Sequence, residues 1–335
     1  MLNKAYINLN NLKDNVKSIK SKLNCGVKFC AVIKAEAYGH GSVECANAIY
    51  KDVDCFAVAL LEEAVKLRQA GIEKEILMLL PAFDKETITA VENDLTLSGF
   101  TKEHLYQAER AAKELNKRVR FHIKYDSGMN RLGVKGQPAL KRLLNFAKKC
   151  PHVEIAGVFS HFACPESDEM RDKAYKEFLL AKSIVKAYNS NAVAHISSSG
   201  GFLKGVQEDM VRIGILLYGY SPFSSKINLK PVMSLSAPTI SVRKVEKGQS
   251  ALYGEKIAKR QATISIIRYG YADGLFRKEI NGQFNNRCMD LTAVNGKRKN
   301  FSLLKNVTAL AAEYNTISYE ILTKVALRAE KIYIR

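Results

Sequence analysis

Eight short apolar runs, separated by segments of helical length, constrain the fold of this 335-residue chain more than any other feature. The separating segments, such as 101–116 and 169–189, carry apolar residues at helical spacing. Strand–helix alternation of this kind requires crossover connections and a parallel sheet, so eight units predict a (β/α)8 barrel. The runs are VKFCAVI (27–33), CFAVAL (55–60), EILMLL (75–80), LTLS (95–98), VRFHIK (119–124), VEIAGVFS (153–160), AVAHIS (192–197) and DMVRI (209–213).

The pattern changes after residue 225. From there the chain alternates apolar and polar residues with interspersed glycines, which is typical of half-buried strands. A helical segment at 302–315 interrupts this region, and KIYIR (331–335) closes the chain as a predicted strand. We therefore predict an α/β barrel over residues 1–225 and a smaller, mainly-β C-terminal domain over 226–335.

Composition excludes several classes of protein. Hydrophobic residues make up 47% of the chain and charged residues 25%, which is ordinary for a globular protein, and no apolar run is long enough for a membrane span. The first 20 residues lack the apolar core of a secretory signal, so we expect a cytoplasmic protein. The seven cysteines fit neither a metal-binding spacing nor a disulfide framework, and no metal site is predicted.

A formal net charge of +19 raises nucleic acid as a partner. The positive residues, however, alternate with acidic and apolar ones, and the chain has no long basic block or basic aromatic strand motif. We interpret the charge as a basic surface, part of which serves small anionic ligands.

Polar residues follow several predicted barrel strands, at the end where barrel enzymes place their active sites. A lysine that can bond an aldehyde, together with glycine-containing turns at SSSGG (197–201) and RIG (212–214), suggests a phosphate-bearing cofactor, and pyridoxal phosphate fits. Each residue alone has an ordinary alternative: a solvated strand-end charge, a core histidine or a salt-bridge arginine. The residues are Lys34, Lys124, Asp126, His161, Ser199 and Arg212.

The segment AVIKAEAYGHG (31–41) resembles the cofactor-lysine motif of alanine racemases, and the similarity extends along nearly the whole chain. Further motifs occur in the family's order: YDSGMNRLG (125–133), GVFSHFA (157–163), VRIGILLYGYSP (211–222), ALYG (251–254), GYADG (270–274), RCMD (287–290) and NTISYEIL (315–322).

The resemblance implies interconversion of L- and D-alanine, which supplies D-alanine for peptidoglycan. Lys34 would hold pyridoxal 5'-phosphate as a Schiff base and move a proton on one face of the substrate Cα. Tyr253 would act on the opposite face, from the partner subunit of a homodimer with shared active sites. Two groups are needed because inverting a stereocentre removes a proton from one face and returns one to the other.

The resemblance also implies roles for the remaining site residues. Arg212 would face the pyridine nitrogen, with His161 as its buttress, and Arg131 would pair with the substrate carboxylate beside the partner's Met289. Tyr271 would line the entrance, and Lys124 is the position that some family members carry as an N-carboxylated lysine. The phosphate would bind to Tyr38, Ser199, Gly214, Ile215 and Tyr319.

This chain departs from the family pattern at several positions. Glu36 stands two residues from the reactive lysine in place of the usual Asn, where a carboxylate would alter local proton affinity. Ile213 replaces a proline, and Ser198 replaces an asparagine. The segment 275–287 is shorter than usual, which bears on the placement of Met289.

Four alternatives stand beside an alanine racemase. A serine or broad-specificity racemase would use the same fold and cofactor, whereas a decarboxylase relative would place an acid at the position of Arg212. A non-catalytic pyridoxal-phosphate carrier would lack the C-terminal domain and Tyr253. A basic nucleic-acid binder would bind in a salt-dependent way without cofactor.

Overall fold

The computed structural model describes residues 3–250, 252–253, 258–277, 287–302, 304 and 306–335. Strand β1 (Lys4–Asn8) and helix α1 (Leu9–Lys20) open the chain. Eight further strands follow, and each overlaps one of the eight predicted apolar runs. They are β2 (Lys28–Val32), β3 (Cys55–Val58), β4 (Ile76–Met78), β5 (Leu97–Gly99), β6 (Val119–Lys124), β7 (Val153–Phe159), β8 (Val193–His195) and β9 (Met210–Ile213).

These eight strands form a closed parallel barrel. Two four-stranded sheets have the orders β4-β3-β2-β9 and β5-β6-β7-β8. A parallel bridge between Leu77 and Thr96 joins them at one seam. At the other seam the Arg212 backbone N–H donates to the Ser197 carbonyl at 3.0 Å. The predicted (β/α)8 barrel is therefore confirmed.

Amphipathic helices connect the barrel strands. In the helix over 102–114, the Thr101 side chain caps the first turn by accepting from the His104 N–H at 3.2 Å, and Leu105, Ala108 and Ala112 form its buried face. The helices are α3 (Ser42–Ile49), α4 (Leu61–Gln69), α5 (Lys85–Glu92), α6 (Lys102–Glu114), α7 (Gln137–Ala147), α8 (Asp168–Tyr188) and α9 (Ser199–Leu203), and they are preceded by α2 (Lys34–Tyr38), a five-residue segment with positive φ at four residues.

The remainder of the chain builds a second sheet with two short helices. Its strands have the order β12-β11-β10-β1-β14, and β13 pairs with β10. These elements are β10 (Met233–Val245), β11 (Ala262–Ile267), β12 (Thr292–Asn295), β13 (Asn300–Ser302), α10 (Val307–Glu313), α11 (Ser318–Val325) and β14 (Glu330–Ile334).

The second sheet includes the N-terminal strand, which the sequence pattern did not indicate. Strand β1 pairs antiparallel with β10 and parallel with β14, and it buries Ala5 and Ile7. A boundary at residue 225 therefore leaves one strand of the second sheet on the barrel side. The predicted helical segment at 302–315 contains α10, whereas the eight-residue α11 was not predicted.

The described part of the chain contains neither a membrane-spanning helix nor a cluster of metal-ligating side chains. None of its helices is both long and apolar enough to cross a bilayer. Nor do its His, Cys, Asp and Glu side chains form any group of three or more that could hold a metal ion.

Candidate active site

A cavity of about 610 Å³ opens at the carboxyl ends of the barrel strands. Its lining includes ten residues that the sequence predicted. Tyr319 reaches it from α11, so the C-terminal region closes one side of a cavity built mainly by the barrel. The ten residues are Lys34, Tyr38, Lys124, Arg131, His161, Ser199, Arg212, Gly214, Ile215 and Tyr319.

Lys34 lies directly after β2, at the start of a backbone turn of unusual hand. We call residues 34–41 the lysine turn. Ala35, Glu36, Ala37 and Tyr38 all have φ between 49° and 55°, the left-handed helical region. An L-residue costs about 1–2 kcal/mol in this conformation, so four in succession require support from their surroundings. The turn places both Lys34 and Tyr38 on the cavity wall.

The end of the lysine turn is packed tightly against the C-terminal region. Gly39 and Gly41 have φ of 86° and 97°. A Cβ on Gly39 would lie 2.4 Å from the Leu322 carbonyl oxygen of α11, and one on Gly41 would lie 2.1 Å from the Tyr333 hydroxyl of β14. Glycine is thus required here both by conformation and by space. The second sheet and its helices hold the outer side of the lysine turn.

Glu63, which sequence reasoning did not single out, holds the inner side of the turn. Its Oε1 accepts from the Ala35 N–H at 2.5 Å, and its Oε2 accepts from the N–H groups of Ala59 and Leu60 at 2.8 and 3.1 Å. Its place in the first turn of α4 suggests only a helix cap, so the contact with Ala35 became visible only in the structure.

Burial and neighbouring charges favour the neutral form of both lysines in the cavity. The pKa of Lys34 is lowered by desolvation and by Arg131, and Glu63 partly opposes this. Desolvation, with Arg212 and Arg131, lowers the pKa of Lys124 to about 7. The Lys124 ammonium also lies 4.4 Å from the centre of the Phe159 ring. A neutral lysine amine is the nucleophilic form, so both residues are suited to bond formation at nitrogen.

Arg212 is held by a buried network rather than by an acid. One guanidinium nitrogen donates to the Nδ1 and carbonyl oxygen of His195 at 2.5 and 3.0 Å, and the other donates to the carbonyls of Ser160 and Ile196 at 2.6 and 3.1 Å. Burial lowers the pKa of Arg212 to about 10, so it stays cationic at neutral pH. The histidine bonded to Arg212 is His195, which the sequence analysis did not single out, while His161 lines the same cavity.

The protons of this network can be assigned by elimination. Arginine only donates, so the Nδ1 of His195 accepts and its Nε2 carries the hydrogen. That hydrogen is donated to the Nδ1 of His122 at 2.8 Å. Burial lowers the pKa of His122 to about 4 and that of His195 well below its usual value. Two neutral histidines therefore fix the orientation of Arg212 without adding charge.

The cavity lining also presents hydroxyl and backbone donors. The Tyr38 ring packs 5.8 Å from the Tyr319 ring, and burial raises the pKa of both phenols, that of Tyr319 to about 12. Both hydroxyls are therefore protonated donors. The Ser199 Oγ accepts from the Gly214 N–H at 3.2 Å, and a Cβ on Gly214 would lie 2.6 Å from the Tyr38 hydroxyl. Together with Ile215, these residues form a donor-rich cradle suited to a phosphate group.

Arg131 reaches the cavity on a loop that Asp126 organises. The Asp126 Oδ1 accepts from the backbone N–H groups of Gly128 and Asn130, each at 3.0 Å. Sequence position alone made Asp126 a candidate for chemistry. In the structure it shapes the loop between β6 and α7, and Arg131 is the residue of that loop that contributes charge to the cavity.

The Glu36 side chain lies outside the cavity and pairs with a lysine of α4. Its Oε1 lies 2.5 Å from the Lys66 Nζ of α4 in a pair whose side chains are 44% and 49% exposed. Glu36 is absent from the cavity lining, and the groups that perturb the pKa of Lys34 are Arg131 and Glu63. The expected effect of Glu36 on the proton affinity of the lysine is therefore not supported by its position.

Three predicted residues of the C-terminal region lie outside this cavity. Tyr253, Met289 and Tyr271 are 71%, 54% and 39% exposed, and none of them lines the cavity of its own chain. In the ALYG motif, residues 251 and 254 lie outside the described part of the chain, as does 278–286 of the shortened segment.

Comparison with known proteins agrees with this geometry. The family models for the alanine racemase N-terminal and C-terminal domains match residues 7–222 and 232–333. An alanine racemase from Treponema denticola is 38% identical, over 82% of this chain and 76% of its own length. One from Aquifex aeolicus is 32% identical, over 98% of both chains.

Solved structures show the same relationship. Alanine racemase from Clostridium difficile 630 superposes with a TM-score of 0.93 at 30% identity, covering 100% of this chain and 96% of that one. The Bacillus anthracis alanine racemase with bound L-Ala-P gives 0.91 at 30% identity, covering 99% and 94%. On its sequence, its two matched domains and its fold, the chain belongs to the alanine racemase family.

Proposed function

We propose that this alanine racemase interconverts L- and D-alanine with pyridoxal 5'-phosphate bound covalently to Lys34. The observation that carries the proposal is the cavity itself. Its lining has two arginines, two lysines whose pKa values are lowered, and one acid, Glu320, so basic groups outnumber acidic ones. Such a surplus of positive charge suits a phosphate-bearing cofactor together with a substrate carboxylate.

The residues present fit the cofactor. The phosphate would be held by Tyr38, Ser199, Tyr319 and the backbone of Gly214 and Ile215, all of which line the cavity. Lys34 would bond the aldehyde, because burial lowers its pKa and favours the nucleophilic amine. Arg212 would hold the pyridine nitrogen as a permanent cation, which discourages its protonation and restrains side reactions.

Proton transfer is assigned to two residues. The cofactor, when bound, withdraws electrons from the substrate Cα and acidifies its proton. Lys34 would remove or return that proton on one face, while Tyr253 would do the opposite on the other face. Arg131 would orient the substrate through its carboxylate. Each direction of the reaction thus uses one residue as base and the other as acid.

We also propose a homodimer in which Tyr253, Met289 and Tyr271 complete the partner's cavity. In support, all three are exposed side chains that do not line the cavity of their own chain. The barrel, residues 1–225 in our division, would supply the cofactor half of each site, and residues 226–335 the other half.

Alanine is the proposed substrate on the strength of the relatives. The Bacillus anthracis structure contains L-Ala-P, and a Clostridium difficile alanine racemase structure is a complex with cycloserine. We assign the product D-alanine to peptidoglycan synthesis in the cytoplasm. Preference for serine, or for several amino acids, is the alternative that the test below separates.

The test is racemisation of L-alanine and of L-serine by the purified protein, followed by loss of circular dichroism with and without added pyridoxal phosphate. We expect cofactor-dependent racemisation, faster with alanine. Racemisation mainly of serine would overturn the substrate assignment. Activity that needs no pyridoxal phosphate, or a wild-type protein that forms no lysine-bound cofactor, would overturn the mechanism.

A further inference from the structure

We propose that Glu63 is the positioning residue for Lys34: its carboxylate holds the lysine turn in the shape that directs Lys34 and Tyr38 into the cavity. This inference rests on the proposed function, because it concerns the residue that would bond the cofactor. Glu63 itself is not among the cavity-lining residues and would act through the backbone of Ala35.

The contacts of Glu63 join two adjacent barrel strands at their active-site ends. Ala35 follows β2, whereas Ala59 and Leu60 follow β3, and β2 and β3 are paired. Each carboxylate oxygen accepts hydrogen bonds from one side: Oε1 from the Ala35 N–H, and Oε2 from the N–H groups of Ala59 and Leu60. Only a group with two acceptor oxygens can serve both sides at once.

The bond to Leu60 is an ordinary helix cap, but the bond to Ala35 is not. Leu60 precedes the first residue of α4, so accepting from its N–H stabilises the start of that helix. Ala35 belongs to a different element and is the first residue of the left-handed run. Without Glu63 its N–H would lose a charge-assisted partner at the point where the backbone is most strained.

Besides holding the backbone of the lysine turn, Glu63 acts on Lys34 through its negative charge. Glu63 raises the pKa of Lys34 against the effects of burial and Arg131. Removing the negative charge while keeping the side chain's size should therefore lower the pKa of the lysine further. The charged and titratable groups that share the cavity with Lys34 are Tyr38, Lys124, Arg131, His161, Arg212, Tyr319 and Glu320.

Three variants separate position from charge. In Glu63→Gln the charge is lost and the single amide oxygen can accept on only one side, so its NH2 faces an N–H donor on the other. Glu63→Asp keeps the charge but is one methylene too short to bridge both sides. Glu62→Gln is the matched control, because Glu62 is an exposed acid on the same helical turn.

The first measurement needs no cofactor. Hydrogen exchange of peptides covering residues 34–41 is followed in the cofactor-free protein, with thermal unfolding as a check on global folding. We expect exchange about tenfold faster in the lysine turn of Glu63→Gln and Glu63→Asp, and unchanged exchange in Glu62→Gln. Exchange in both Glu63 variants equal to that of the control would overturn the positioning role.

The second measurement is the pH dependence of the rate at which pyridoxal phosphate attaches to Lys34. Glu63→Gln should shift this profile toward lower pH, while Glu63→Asp and Glu62→Gln should keep the wild-type profile. Loss of a helix cap alone would not shift the pH profile. A profile that is unchanged in Glu63→Gln would therefore contradict the proposed effect of the Glu63 charge on Lys34. If the wild-type protein attaches no cofactor, the proposed function fails, whereas the exchange experiment still tests Glu63.

Discussion

The two halves of the proposed site differ in how complete they are within one chain. The barrel half is complete within one chain. Most of its side chains are buried, its basic residues line one cavity, and their hydrogen-bond partners are in place, as Arg212 shows. The C-terminal half lies on the surface of the chain: the side chains of Tyr253 and Met289 are 71% and 54% exposed. In our proposal, one chain prepares the cofactor site and a second chain supplies the group that acts on the other face of the substrate.

This difference explains why the two halves place different demands on the fold. Cations in a low-dielectric cavity repel one another, so they need fixed partners, and the neutral His195 and His122 behind Arg212 meet that need without adding charge. An exposed tyrosine needs no such network until a partner covers it.

Mixing two inactive variants provides the strongest test. Lys34→Ala and Tyr253→Phe should each lower racemisation at least 10²–10⁴-fold, the usual contribution of a general acid or base. If sites are shared, refolding them together in equal amounts makes half the dimers mixed, each with one intact site of two. Activity should then recover to about a quarter of wild type. No recovery would mean that each chain completes its own site.

Lys124 tests the charge balance of the barrel half. Its pKa of about 7 leaves about half of the amine neutral at pH 7, and a neutral amine can form an N–C bond to CO2 with release of a proton. We expect a carbamate resonance with ¹³C-bicarbonate, and about a tenfold rise in KM in Lys124→Ala, because Arg131 loses an anionic neighbour. The exposed Lys141→Ala is the control. An unmodified amine at ambient CO2 would contradict this.

Acid should destabilise the barrel, because every histidine of the chain lies between residues 40 and 195. Burial lowers the folded-state pKa of His40 and His122 to about 4, below the unfolded value of 6.5. From pH 6.5 down to about 4 the unfolded chain therefore binds more protons, and the free energy of unfolding falls as pH falls. Each histidine contributes up to about 1.4 kcal/mol per pH unit.

Urea unfolding at several pH values measures this slope. His40→Asn should flatten it, because an Asn side chain does not titrate in this range. Its amide can still donate to the carbonyls of Ala37 and Tyr38, which lie 2.9 and 3.0 Å from the His40 Nδ1. A slope in His40→Asn as steep as in the wild type would show that this histidine is not the titrating group.

Glu36→Gln should have the smallest effect. Its half-exposed ion pair with Lys66 is worth at most about 1 kcal/mol, so we expect activity within about twofold of wild type and little change in unfolding free energy. The measurement is the pH profile of racemisation beside that of Lys66→Gln, which breaks the same pair. If the pH profile shifted in Glu36→Gln but not in Lys66→Gln, Glu36 would act on the reacting groups directly, contrary to this expectation.

Sequence patterns predicted the barrel well and the second region less completely. Each of the eight apolar runs overlaps a barrel strand, since a buried parallel strand needs a continuous apolar segment. Strand β1 escaped notice because its partners, β10 and β14, lie more than two hundred residues away. Helix α11 was not predicted because its eight residues are too few to show a clear helical periodicity in the sequence.

The site divides in the same way. The residue types with distinctive chemistry, such as Lys34, Arg212 and Tyr38, were predicted from strand ends and motifs, and the cavity contains them. Their supporting residues were not. Glu63 and His195 act through contacts with the backbone or with another side chain, and such contacts are determined by distances that no local pattern encodes.

By itself the sequence determined the barrel, the family and ten of the residues that line the cavity, because strand periodicity and motif spacing are local properties. Tertiary structure alone decided the left-handed lysine turn and its support by Glu63, the neutral histidines behind Arg212 and the outward position of Glu36. Those features depend on which side chains meet across the barrel, and burial in that shared environment sets their protonation and orientation.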